Sequence, residues 1–130
     1  MSREIKFRAW DKEADVRFMS DVNMMGYQLG KYLSQDRYVV MQYTGLKDKN
    51  GVEIYEGDIV QVPERLHMDE GGVVEYSHTG QYVMAQGSFK TSIHEMVYNK
   101  WKLEVIGNIY ENSDLLAPKH NQASQLAEGV

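Results

Sequence analysis

The sequence predicts a mainly β fold, and three observations carry that reading. Short apolar-alternating segments recur at close spacing, glycine turns separate them, and β-branched and aromatic residues fill them. No stretch alternates strands with long amphipathic helices as βαβ units do.

Residues 4–10 alternate, with Ile5, Phe7 and Ala9 on one face and Lys6, Arg8 and Trp10 on the other. This is the period of a half-buried strand. Asp11 to Asp15 is polar enough to turn the chain, and Val16-Arg17-Phe18-Met19 is expected to return as the second strand of an N-terminal hairpin. Residues 20–37 fit neither period. Gly26 and Gly30 disfavour a helix there, so the expectation is an irregular excursion with one short helical turn.

Tyr38 to Thr44 is β-branched and aromatic and reads as a strand. Lys47-Asp48-Lys49-Asn50-Gly51 is the strongest turn signal in the chain, because Asn-Gly suits the positive-φ geometry of tight turns. Glu56-Gly57-Asp58 is a second tight turn, followed by a strand over Asp58–Val62 that Pro63 ends. A polar loop leads to Gly72–Tyr76 and Gln81–Ala85, a hairpin across Ser77-His78-Thr79-Gly80. Lys102–Tyr110 is the last strand, with Gly107 placed as a bulge or a close-approach point. This succession of strands and turns matches a small SH3-like barrel preceded by the hairpin and the excursion. Residues 1–112 form one domain on this reading. Residues 113–130, polar and rich in Ala, Ser and Gln, form a flexible tail with too little apolar surface to offset the cost of ordering it.

Composition narrows the function classes. The 130 residues include no cysteine, which excludes disulfides, thiol nucleophiles and Cys-based zinc sites. The net charge of −5 gives no overall surplus of basic groups for sequence-independent binding to phosphates. The N-terminus leads straight into charged, alternating sequence, so no signal peptide and no membrane partner are expected, and the host cytoplasm is the expected location.

The chemistry-bearing residues each have a structural role to set beside a catalytic one. Glu53, Glu56 and Asp58 are a set of carboxylates, but an Asp that follows Gly in a tight turn most often accepts backbone N–H bonds. His67, His78, His94 and His120 are spread without metal-ligand spacing, so no metal and no cofactor are expected. Gly87-Ser88-Phe89 lacks the second glycine of a nucleophile elbow, and no phosphate-cradling loop occurs. No catalytic residue is assigned, and the expectation is a protein that is not an enzyme. The aromatics are more informative: nine tyrosines and two tryptophans would pack mostly as core or rim, with some left to meet a partner. The candidate binding residues are Lys6, Arg8, Trp10, Tyr43, Tyr55, Glu56 and Asp58.

Three segments carry a family resemblance. Arg3-Glu4-Ile5-Lys6-Phe7-Arg8-Ala9-Trp10-Asp11 opens the chain as members of the YopX family open. Met41 to Gly51, continuing through Glu53 to Val60, and the closing Val105-Ile106-Gly107-Asn108-Ile109-Tyr110-Glu111-Asn112 are similar to the same family, in the same order. The resemblance implies a protein of bacteriophages and prophages and a β-rich fold with an SH3-like portion. It implies no reaction and no catalytic residues.

The functional expectation is therefore an accessory phage or prophage protein that binds another protein or itself. Two alternatives stand beside it. One is a single-stranded nucleic-acid-binding module using the Lys6, Arg8 and Trp10 face, and the other a counter-defence protein that sequesters a host nuclease or a signalling nucleotide.

Overall fold

The structure is a computed structural model and describes residues 5–13, 19–22, 26–63 and 71–115. Nine strands, two helices and a 3-10 turn are found among them. In chain order they are β1 (Phe7–Asp11), β2 (Met19–Val22), α1 (Gly26–Leu33), β3 (Tyr38–Lys47), β4 (Glu53–Tyr55), β5 (Asp58–Gln61), β6 (Gly72–Tyr76), β7 (Tyr82–Gln86), β8 (Phe89–Ser92), α2 (Ile93–Tyr98) and β9 (Glu104–Asn108). The 3-10 turn Ser113–Leu115 follows.

The strands pair as two antiparallel sheets, ordered β2-β1-β3-β4 and β8-β7-β6-β5-β9. The mainly β expectation holds, but no single closed barrel is traced among the described residues. Two short links join the sheets instead. The turn Glu56-Gly57 passes the chain from β4 to β5, with Gly57 N–H donating to Val74 O and Ile109 N–H to Gly57 O, both at 2.9 Å. At the far end of β3, Lys49 N–H donates to Leu103 O, just before β9, at 2.9 Å.

The N-terminal hairpin forms with a later return than the sequence predicts. β1 pairs with β2 through Trp10↔Met19 and Phe7↔Val22, so the second strand begins where the expected one ended; residues 14–18 lie outside the described residues. The excursion contains a true helix, α1, despite its two glycines. Tertiary contact outweighs propensity here: the helix packs on β3, and the ring of Tyr32 meets Tyr38 edge-on at 4.7 Å. Gly30 is exposed, and a Cβ there would meet nothing within 4 Å. Gly30→Ala should therefore stabilise the protein by about 1 kcal/mol, through the lower backbone entropy of the unfolded chain. A urea melt of the two proteins checks this, and an unchanged or lowered midpoint would mean that α1 does not persist in solution.

The main core lies between β4–β7 and α2, around Ile54, Val60, Val74, Met84, Ile93 and Met96, each at most 1 % exposed. The two elements that the sequence reading did not assign, β8 and α2, supply part of this core. A two-residue turn, with Gly87 at φ 60°, joins β7 to β8, and only one of its residues takes positive φ, as in type II′. Ser92 then caps α2 by accepting the Glu95 N–H at 3.4 Å, and Ile93 and Met96 fall on the buried face. The helix ends with Trp101 N–H on Met96 O and Lys100 N–H on Val97 O, both 2.9 Å, and with Lys100 in the left-handed region at φ 63°.

Gly107 is the close-approach point expected of it, and the bulge falls on its neighbour. β5 pairs Ile59 with Gly107 but Val60 with Val105, so Ile106 is the extra residue of a bulge. A Cβ on Gly107 would lie 2.6 Å from Asn112 Oδ1 and 2.8 Å from Asn112 Cβ, too close for any side chain. Among the described residues, no helix is long and apolar enough to cross a membrane.

Candidate functional site

All seven candidate residues converge where β1, β3, β4 and the start of β5 meet. β1 is covered on both faces at its C-terminal half: Ala9, on the face expected to be apolar, is 1 % exposed and Trp10, on the other, 5 %, whereas Ile5 before the strand is 47 % exposed. β1 lies against β3 through Arg8↔Met41 and Trp10↔Val39, so Arg8 reaches over Met41 to the Glu56-Gly57-Asp58 turn.

Arg8 Nη2 donates to Asp58 Oδ1 at 2.7 Å and to the Glu56 backbone oxygen at 3.2 Å. Its guanidinium carbon lies 4.7 Å from the centroid of the Tyr55 ring, and its Nε is buried without a hydrogen-bond partner. The other Asp58 oxygen accepts the Tyr55 N–H at 2.7 Å, the turn-closing role its position after Gly57 suggests. The pair is almost dry, with side chains 12 % and 3 % exposed. Burial pushes the Asp58 carboxyl above its ordinary value, against the pull of the Arg8 charge and the Tyr55 N–H.

The remaining candidates extend this pair outward. Glu56 Oε1 accepts the Gln42 N–H at 2.6 Å while Glu56 N–H donates to Gln42 O at 3.0 Å, which prolongs the β3–β4 ladder into the turn. Lys6 pairs with Glu53 at 2.6 Å and lies 5.8 Å from the centroid of Tyr43. Tyr43 and Tyr55 face each other across β3 and β4 with centroids 5.5 Å apart. Trp10 stacks on Tyr110 at 5.8 Å, so the tryptophan is covered from the C-terminal end of the fold. Burial is the first cause that raises the Tyr110 phenol, with Glu56 adding to it. Gly57 sits between them at φ +85°, where a Cβ would meet Met41 Sδ at 3.0 Å and Tyr110 Cε2 at 3.3 Å.

Cations and carboxylates thus alternate with aromatic faces, and the chemistry of this arrangement is directed inward. Asp58 and Glu56 spend oxygens on backbone N–H groups, and Arg8 spends its charge on Asp58. Such a cluster orders the junction of two sheets, and a general acid or base would need to reach a substrate proton.

A chain-wide comparison now bears on the same residues. The YopX protein family model matches residues 6–117. The chain belongs to the YopX family. A crystal structure of protein EF1440 from Enterococcus faecalis is also similar, with a TM-score of 0.57 and 26 % sequence identity, covering 88 % of this chain and 99 % of that one. No curated protein matches the chain. The three segments that resemble the YopX family are the ones the fold brings together: Arg8 and Trp10 from the first, Met41 to Asp58 from the second, Tyr110 from the third.

Two further residues of these segments order the turns beside the junction, and of the two Asp48 also crosses to β9, though neither was singled out from the sequence. Asp48, 8 % exposed, accepts the N–H groups of Asn50 (2.8 Å) and Val52 (2.9 Å) on one oxygen and of Val105 (3.0 Å) on the other. Asn108 accepts from the Tyr110 and Glu111 N–H groups at 3.0 and 2.9 Å and donates to Glu111 Oε1 at 2.7 Å. The signal for both was available as turn chemistry, since Asp and Asn at the start of a tight turn form such side-chain-to-backbone bonds.

Proposed function

We propose that this YopX protein is a non-enzymatic accessory protein of a phage or prophage that works in the host cytoplasm by binding another protein or a second copy of itself. The observation that carries this reading is a division of labour. The polar groups that could do chemistry are spent inside the Arg8–Asp58 junction, while large aromatic side chains remain in solvent elsewhere. Tyr98 is 86 % exposed, Tyr76 58 % and Phe89 57 %. Aromatic residues of this kind are over-represented at the centres of protein interfaces. Phe89 lies on β8, an edge strand of the five-stranded sheet, which fits recognition at a sheet edge. On this reading β5–β9, closed off by the Asp48 and Lys49 contacts to β9, form the SH3-like portion that presents the aromatic surface. The nucleic-acid alternative gains nothing from the same geometry, because Arg8 is held by Asp58 and Trp10 is stacked beneath Tyr110.

The test compares wild type with the double variant Phe89→Ser/Tyr98→Ser. The variant should keep its melting temperature and lose either a concentration-dependent oligomer, seen by sedimentation velocity, or a partner captured from lysogen extract. A wild-type protein that stays monomeric at every concentration and captures nothing the variant does not would sink the proposal.

A further inference from the structure

The geometry points to Asn50 as a latent site of spontaneous deamidation that the Asp48 turn holds unreactive in the folded protein. Asn50 and Gly51 are exposed at the tip of the β3–β4 connection. The reaction needs no enzyme. The backbone nitrogen of Gly51 loses its proton and attacks the side-chain Cγ of Asn50. A new C–N bond closes a succinimide ring, and the amide nitrogen leaves as ammonia with that proton. Water then opens the ring at either carbonyl, leaving aspartate or isoaspartate at position 50. Glycine after asparagine favours this step because no side chain shields the attacking nitrogen and the backbone can reach the ring geometry.

The fold opposes each requirement. Gly51 N–H donates to Asp48 O at 3.0 Å, so the proton that must leave is held. Asn50 N–H donates to Asp48 Oδ1 at 2.8 Å, and Val52 N–H to the same oxygen at 2.9 Å, which fixes the residues on both sides. Asn50 keeps negative φ and Gly51 alone takes the left-handed conformation, at φ 84°. With the Asp48 O to Gly51 N–H bond, this is a type I turn followed by a glycine bulge. The second central residue of such a turn has ψ near about 0°, which directs the Gly51 nitrogen away from the Asn50 side chain.

The product would not fit the turn that protected it. Isoaspartate routes the main chain through the side-chain carbon and lengthens the tip by one atom. Aspartate places a second carboxylate beside Asp48. Either change works against the bonds that join this turn to Val105 on β9.

The experiment follows residue 50 in the full chain at mildly alkaline pH by peptide mass mapping that separates aspartate from isoaspartate. Conversion in native buffer should be slower than in denaturing urea by about tenfold or more, the protection expected of a turn that must open first. Asp48→Ala, if folded, should move the native rate most of the way to the denatured one. In wild type, graded urea below the unfolding transition should raise conversion in step with hydrogen exchange at the Gly51 amide, a readout that does not need the variant to fold. Equal rates in native and denatured protein, or conversion that ignores Gly51 exchange, would overturn the inference.

Discussion

Asp58→Ala should destabilise the protein by about 4 kcal/mol, because it removes at one stroke the side-chain acceptor of two buried donors and the carboxyl group that fills the turn. For a domain of this size that is a fall in melting temperature on the order of 15 °C. The two donors are Arg8, whose side chain is 12 % exposed and which keeps the Glu56 backbone oxygen at 3.2 Å, and the Tyr55 N–H, whose bond to Asp58 is 2.7 Å. Arg8→Met should cost about 3 kcal/mol, since it leaves the carboxylate buried beside an apolar chain. The double variant should cost little more than Asp58→Ala alone, as partners in one network do not add. Urea melts of the four proteins close the cycle. Additive losses would show that the pair is not coupled and that the junction is held by packing alone.

The same pair gives a pH dependence whose sign is not the usual one for a carboxylate in a salt bridge. Burial outweighs Arg8 and raises the folded value of Asp58 above its unfolded one. The folded state therefore holds this proton more tightly, and the contribution of Asp58 is greatest below the ordinary carboxylate value and declines as pH rises through the folded value. Wild type should gain stability relative to Asp58→Asn as the pH falls from neutral. Glu104 works in the opposite sense. Its value is lowered first by the hydrogen bond from Gln61 and then by Lys49, so its contribution is present above the unfolded value and fades as acid protonates it. Paired melts of wild type, Asp58→Asn and Glu104→Gln across that range separate the two slopes.

Most of the strands were legible because their signals are local. Val73 and Val74, or Ile59 and Val60, lie between glycine turns that leave little choice of state, and Gly107 announced the bulge beside it. β8 and α2 were missed although Ser92 and Glu95 have the spacing of a helix cap, because four strand residues and six helical ones are too few for either period to emerge. α1 was underestimated because its support comes from Tyr38 on another element. The site was legible as a set of residues and illegible as an arrangement. Alternation placed Arg8 and Trp10 on the polar face of β1. Only the meeting of β1 with the Asp58 turn, and the return of Tyr110 from the far end of the chain, covers that face as well as the apolar one. The binding surface leaves a fainter trace still, since an exposed tyrosine such as Tyr98 has the same sequence signature as a buried one.

Asp48→Ala should cost about 3 kcal/mol, although the residue lies in a surface turn where most substitutions change stability by less than about 0.5 kcal/mol. The difference comes from where its three bonds go. Two close the local turn, to Asn50 and Val52, and are the kind that water replaces at small cost. The third crosses to Val105 on β9, fifty-seven residues away, and supplies an acceptor at the strand edge where the two sheets come together. Without it the Val105 N–H is left half-buried with no acceptor, and leaving such a donor unmade costs more than the bond itself contributes. Asp48→Asn separates the two contributions. It keeps one carbonyl oxygen for the turn but presents an NH₂ group where Val105 needs an acceptor, so it should lose most of the stability that Asp48→Ala loses. Hydrogen exchange locates the effect: in Asp48→Asn the Val105 amide should lose protection while Val52 keeps its own. If Val105 stays protected in both variants, β9 is held by its pairing with β5, and the turn is an ornament of the fold instead of the link between its sheets.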